Sequence, residues 1–460
     1  MLKALKSTLA AVAVCAALAT AAEAQTIRDT EIEETLNAYT DPLLRVAGLD
    51  PDAVDLYIVN NKELNAFVTR GQNIFLHTGL ILEADTPNQL KGVIAHEAGH
   101  IADGRLARSD YQNRSAYGAM LVAAGVGIAA MLAGEGAAGA AVLSGAPSFG
   151  TLEVLKHTRV GESVADQYAA DFLEKTGQSG QGLIEFFDNF RYQEMLSQSR
   201  RYPYFRSHPL SSLRVDQLRE KVAESPYRDA VDSDEDLYRM DMMKAKLFGF
   251  LETPGRVFAK YPMEDTSTVG RYARSVAFFR TGDLNLALRE INALIEQEPD
   301  NPYYHELKAQ FLYESGRAED SIPPIREALR LKPDAPLFQL ALGQALVSQG
   351  TPESLAEAET YFKQLLRTEP DNATGWYYLS LAYSGQGKES LAEYATAEQN
   401  FAIGEYRRAK QFAERAQEDL PRNEPVWRRA GDIVAVAEVQ LTRSKKDQRR
   451  GPKPFTFTAE

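Results

Sequence analysis

The stretch Thr86-Pro87-Asn88-Gln89-Leu90-Lys91-Gly92-Val93-Ile94-Ala95-His96-Glu97-Ala98-Gly99-His100-Ile101-Ala102 carries both a structural and a chemical signature. Thr86 to Gln89 reads as a capping box with proline at the first helical position, and Leu90, Val93, Ile94 and Ile101 recur at helical spacing. The segment is therefore predicted to be a helix. Residues four apart on a helix share a face, so His96 and His100 can grip one Zn2+ while Glu97 projects beside them toward a water. The bland alternative, two unrelated core histidines, sits badly with only six His in 460 residues.

A hydrolytic zinc site of this kind needs a third protein ligand and an open position for water. In Gly161-Glu162-Ser163-Val164-Ala165-Asp166 two carboxylates again lie four apart, on a predicted helix whose Ala165, Ala169 and Ala170 would let another helix approach closely. We expect Glu162 to bind the metal and Asp166 to accept the free N–H of a ligating histidine, fixing its tautomer. His157 is a rival third ligand. The competing reading of Glu162 and Asp166 is an ordinary solvated acidic face.

Together these residues resemble a known family. The H-E-x-x-H helix, the preceding Asn65-Ala66-Phe67 and Gly79-Leu80, the E-x-x-x-D at Glu162 and Asp166, and Ser207-His208-Pro209 with Arg214 are similar to the zinc proteases that include the heat-shock membrane protease and the prenyl-protein endopeptidase. The likeness runs from about Asp41 to Arg219. Within that family, a signal peptide joined to a C-terminal helical-repeat array is similar to exported members concerned with β-barrel assembly in the cell envelope. The resemblance implies a zinc endopeptidase acting on misassembled outer-membrane proteins. It also implies that His208 sits on a loop near the metal, either as a fourth ligand that blocks the resting site or as a stabiliser of the oxyanion. We favour the plug, since an unguarded protease would be hazardous among unfolded clients. Arg214 is divided between a role at the site and a plain ion pair.

Composition bounds the host. The chain is 44% hydrophobic and 25% charged, enough for two or three domains with cores of their own. Lys3 and Lys6, an apolar run from Leu9 to Ala22 and the small-x-small Ala22-Glu23-Ala24 read as a secretory signal cut before Gln25, which predicts a periplasmic protein. Cleavage removes Cys15, the only cysteine, so no intramolecular disulfide or cysteine nucleophile remains. It also removes Lys3, Lys6 and Glu23, taking the formal charge from −13 to −14, a poor balance for binding nucleic acid.

Ala116 to Ala133 is eighteen residues without charge, followed by a shorter apolar piece from Gly136 to Leu143. A single membrane crossing would put His96 and His100 on the opposite side from Glu162, and the second piece is too short to return. We read an Ala/Gly-rich helical hairpin over the site, with peripheral contact to a membrane surface as the competing role.

The second half repeats. Gly282, Gly316 and Gly350 recur every 34 residues, and each precedes a predicted helix ending at Pro299-Asp300, Pro333-Asp334 or Pro370-Asp371. The third unit carries three extra residues, Gly404 to Pro421 restores the interval of seventeen, and Gly387 lies one half-repeat earlier. This is tetratricopeptide-like pairing, with Ala287 and Ala328 as small contacts and Tyr303, Phe311, Leu312, Trp376 and Tyr377 as large ones. The basic, proline-bearing end reads as a disordered tail.

The predicted architecture is an α+β zincin domain of the gluzincin type followed by an all-α tetratricopeptide-repeat solenoid. Its expected parts are a signal peptide over 1–24, a metallopeptidase domain over 25–232, repeats over 233–441 and a tail over 442–460. A small sheet is expected to include Val54 to Val59 and Asn73 to His77, with an edge able to hold a substrate strand. One Zn2+ per chain is expected on His96, His100 and Glu162, with Glu97 as general base and His208 and Asp166 as further functional groups. The substrates expected are unfolded outer-membrane proteins, and the partner on the repeats an outer-membrane assembly machinery. The alternative reading is a periplasmic chaperone or assembly factor with a mostly closed zinc site.

Overall fold

The computed structural model describes residues 26–69, 72–104, 160–190, 204–205 and 208–449. The signal peptide, the apolar hairpin, His157, Ser207 and the last eleven residues lie outside them. The chain forms two compact units, residues 1–248 and 249–460.

In the first unit, a four-stranded sheet combines β1 (Thr26–Ile27), β2 (Leu56–Val59), β3 (Ala66–Thr69) and β4 (Asn73–His77) in the order β1-β2-β4-β3. β2 and β4 run parallel, with Val59 opposite His77, while β1 and β3 pair antiparallel on either side. The α-helices of this unit among the described residues are α1 (Thr30–Val46), α2 (Thr78–Glu83), α3 (Pro87–Ala102), α4 over 160–175, α5 (Gln181–Phe190) and α6 (Ser212–Ala223), and of these α2 packs on β4 and α3 on β3. The helix expected from the opening stretch is α3. Thr86 Oγ1 accepts from Gln89 N at 3.2 Å, and Gln89 Oε1 accepts from Asp85 N at 3.0 Å, one residue before the position a capping box requires. Leu90, Val93 and Ile94 are wholly buried, and α3 packs against α1, α5 and β3.

α7 (Asp234–Leu251) follows the acidic turn. The division between the units falls inside it, at 248, whereas the sequence put the boundary at 232. Its first four turns are fastened to the rest of the first unit by two nearly buried lysines. Lys91 of α3 reaches Asp236 at 2.8 Å and Asp232 at 3.3 Å, and Lys246 of α7 reaches Asp29 at 2.7 Å.

The second unit is helical: α8 (Pro254–Lys260), α9 (Thr268–Arg280), α10 (Leu284–Gln297), α11 (Pro302–Glu314), α12 (Ala318–Leu331), α13 (Pro336–Gln349), α14 (Pro352–Thr368), α15 (Ala373–Gly385), α16 (Glu389–Ala402), α17 (Tyr406–Asp419) and α18 (Pro425–Arg449). The repeated glycines close their turns in the left-handed region, at φ 83° for Gly282 and 78° for Gly316. There the next residue's N–H reaches back to the preceding helix, from Asp283 to Phe278 O and from Arg317 to Leu312 O. The three extra residues of the third unit lengthen its second helix: α14 has 17 residues where α10 and α12 have 14. Phe338, Leu342, Phe362, Leu365 and Leu379 fill the core between these pairs. α18 continues to Arg449, so 442–449 is helical backbone where the sequence pointed to a disordered tail; those eight residues contain no proline or glycine. Among the described residues no helix is long and apolar enough to cross a membrane.

Candidate metal centre

Two helices and one loop build the site. His96 and His100 stand one turn apart on α3, and Glu162 and Asp166 one turn apart on α4. The helices can meet because Gly99 has no side chain: a Cβ there would lie 3.0 Å from Ala165 O and 3.1 Å from Tyr168 Cβ. Ala165 sits between the two carboxylates as Gly99 sits between the two imidazoles. Small residue on small residue is what sets the ligands face to face.

The donor atoms converge. His96 Nε2 lies 3.1 Å from His100 Nε2 and 3.3 Å from Glu162 Oε2, and His100 Nε2 lies 3.6 Å from Glu162 Oε1. His208, on the segment before α6, brings Nδ1 to 3.3 Å from His96 Nε2, 3.2 Å from His100 Nε2 and 2.9 Å from Glu162 Oε2. A tetrahedron with bonds of about 2.0–2.1 Å has edges of roughly 3.3–3.4 Å, and the five separations among His96 Nε2, His100 Nε2, His208 Nδ1 and Glu162 Oε2 lie near that scale, an arrangement that suits one ion. All four side chains are buried. Three imidazole nitrogens this close cannot all carry protons toward one another, and the lone pairs they would otherwise direct at each other suit a divalent cation.

An acidic neighbour orients one imidazole. His96 Nδ1 lies 2.9 Å from Asp166 Oδ1, which holds a proton on Nδ1 and turns Nε2 toward the other donors, where a metal would displace its proton. Asp166 is itself held by a bidentate guanidinium: Arg214 Nε and Nη2 donate to its two oxygens at 2.7 and 2.8 Å. Burial opposes ionisation of Asp166, yet His96 and Arg214 keep its carboxyl below the usual range. Glu162 is likewise burdened by burial, and His208 and His96 drive it well below its ordinary value. Burial alone would lower His96; Asp166 and Glu162 overcome it and push the imidazole up to about 9 in the metal-free protein. Arg214 has a second task, since its Nη1 donates to Pro209 O at 2.7 Å and so fastens the segment that carries His208.

Glu97 is wholly buried, and burial raises its pKa. Neither carboxylate oxygen has a hydrogen-bond partner among the described residues. His208 Nε2 lies 3.5 Å from Glu97 Oε1. The His208 ring therefore spans the space between the ligand cluster and Glu97, the space a water would need. Tyr204 stacks on that ring, with centroids 4.8 Å apart and planes at 29°.

The structure thus brings together His96, Glu97, His100, Glu162, Asp166 and His208, and adds Arg214 as the brace of Asp166. Sequence reading missed Tyr204, which belongs to no motif; its four-residue spacing from His208 was the one available hint.

Residues 28–222 match Peptidase family M48, and residues 272–336, 312–354 and 340–402 match the tetratricopeptide repeat. The chain is 26% identical over 365 residues to the Beta-barrel assembly-enhancing protease of Escherichia coli (strain K12), covering 77% of this chain and 72% of that one. The protein of the same name from Yersinia pestis is 24% identical over 390 residues, covering 82% and 77%. Metalloprotease LoiP of Escherichia coli (strain K12) is 30% identical over 180 residues, covering 38% of this chain and 66% of that one.

Proposed function

We propose that this chain, a metalloprotease with an M48 peptidase domain and tetratricopeptide repeats, is an exported zinc endopeptidase that hydrolyses misfolded or misassembled cell-envelope proteins, with a resting site held shut by His208. The observation that carries the reading is the four-donor cluster with a buried Glu97 beside it whose carboxylate oxygens have no hydrogen-bond partner among the described residues. His96, His100 and Glu162 would hold the metal, and N and O donors in a tetrahedral array favour zinc. Zinc in that position supplies Lewis acidity, lowering the pKa of a water to about 7 and polarising a peptide carbonyl.

The rest is the work of this chain's residues. Glu97, kept basic yet desolvated, takes a proton from the attacking water and delivers it to the leaving amine. Asp166 keeps the proton of His96 on Nδ1, and Arg214 keeps Asp166 ionised. The outer edge of β3 holds the substrate strand through main-chain hydrogen bonds, which leaves side-chain selectivity low. Selection then falls to the repeats, a fold that offers protein-binding surfaces. The relatives named for β-barrel assembly and the signal-like N-terminus support periplasmic clients of the outer membrane and a partner in its assembly machinery. His208 in the fourth ligand position favours a second role as an assembly factor while the site is shut.

Two variants test this. Glu97→Gln should leave unfolded casein uncut while zinc content stays near one per chain; cleavage near the wild-type rate would remove Glu97 from the chemistry. His208→Ala should cut faster than wild type with zinc retained. A loss of about a hundredfold with zinc retained would instead make His208 an oxyanion stabiliser.

A further inference from the structure

Asn65 O accepts from His77 N at 3.1 Å, and Ala66 lies opposite Leu76 in the β3–β4 register. Backbone groups alternate in direction along an extended strand, so Phe67 and Thr69 address β4, as Asn65 does, while Ala66 and Val68 address the free edge. Leu64, two residues before the strand, continues that edge, and its carbonyl is already taken, because Tyr204 N donates to it at 3.3 Å. Tyr204 is also tied to the plug in two ways. Its carbonyl accepts from His208 N at 2.8 Å, and its ring stacks on the His208 imidazole. One residue therefore joins the strand edge to the ring that stands between the metal ligands and Glu97.

We propose that Tyr204 is the positioning residue of the plug and that the Leu64 carbonyl is a shared subsite: a substrate amide pairing with Leu64 replaces the Tyr204 N–H, and His208 leaves the ligand cluster with Tyr204. This rests on the plug reading of His208. The exchange is nearly balanced when substrate supplies a donor, since one main-chain hydrogen bond replaces another. Without a donor, withdrawal of Tyr204 strands the Leu64 carbonyl and makes opening about tenfold less favourable. The enzyme thereby requires an extended chain with a free N–H at this point and stays closed to one that lacks it. A substrate's ability to pair becomes its key.

The test uses the full-length zinc enzyme, a fluorogenic strand-forming peptide of alternating valine and threonine, and the set of its single N-methyl derivatives. Each peptide is measured for kcat/KM on wild type and on His208→Ala. Methylation of the amide that meets Leu64 should cost wild type about tenfold more than it costs His208→Ala, because the variant has no plug to release. Amides that meet Ala66 or Val68 should lose the same factor in both enzymes. If every derivative loses equally in the two enzymes while His208→Ala remains the faster on the parent peptide, the coupling through Leu64 is wrong and the plug stands. If His208→Ala is no faster on the parent peptide with zinc retained, the plug reading itself fails.

Discussion

Asp166 is acidic, buried and oriented by Arg214 on one side and His96 on the other, which makes the trio one unit. Removing the guanidinium leaves a buried carboxylate with a single partner, so Arg214→Met should destabilise the first unit by about 3 kcal/mol. The same change should lower metal affinity about 10–100-fold through the misdirected His96 ring. Thermal melting and zinc retention under a competing chelator check both, and a variant that melts like wild type would reduce Arg214 to a bystander. Protons compete with the metal at the same ring. His96 in the metal-free protein is pushed up to about 9, so it carries a proton that zinc must expel at every pH below that. Zinc affinity should therefore keep climbing between about pH 7 and 9, by up to tenfold per unit, where an ordinary histidine would have levelled off near its usual 6.5. A plateau already reached by about pH 7.5 in a chelator titration would show that the carboxylates do not raise His96.

At the scale of elements, the repeat turns depend on glycine for a stated reason. Gly316 has φ of 78° with open space where a Cβ would be, so its substitution brings conformational strain and no clash. Gly316→Ala should cost about 1 kcal/mol and Gly316→Asn less, measured as a shift of roughly 2–4 °C in melting of the repeat unit. An alanine variant as stable as wild type would mean the turn relaxes to another geometry. These glycines were legible because spacing alone marks a turn, and the helix carrying His96 was legible because cap, proline and apolar period all agree. The work done inside each repeat was not legible. His305, Gln339 and Trp376 share nothing as residues, yet each follows a proline by six positions and its ring or amide nitrogen lies 2.7–3.0 Å from that proline's carbonyl oxygen. Their common position depends on a carbonyl left open at a helix end, which residue type does not disclose. The candidate ligands divide in the same manner. His96 and His100 share a helix and announce themselves, whereas His208 stands 112 residues from His96 and entered only through family likeness.

The whole molecule turns on where the catalytic unit ends. A run of charge at Asp232-Ser233-Asp234-Glu235 looks like a linker, and a linker it would be if α7 belonged wholly to the repeats. Four ties say otherwise. Asp236 pairs with Lys91 on α3, the helix of His96, and accepts from Tyr39 through its carbonyl, Lys244 donates to Ala84 O at 2.7 Å, and Lys246, almost fully buried, pairs with Asp29 at the cap of α1. Met240, Met242, Met243 and Leu247 are buried as well. Partners 145 to 217 residues apart in the chain leave no trace in local composition, which is why the turn could be read and the allegiance of the helix could not. A chain ending at Asp232 should therefore be poorly soluble and zinc-poor. It loses the closer partner of Lys91 and the apolar side chains together, and breaking one buried ion pair alone costs about 3–5 kcal/mol. A chain ending at Leu251 keeps every tie and should bind zinc and cut short peptides while losing the repeats' protein contacts. Zinc content and soluble yield of the two truncations decide it. Equal behaviour in both would place α7 outside the catalytic unit and return the boundary to the acidic turn.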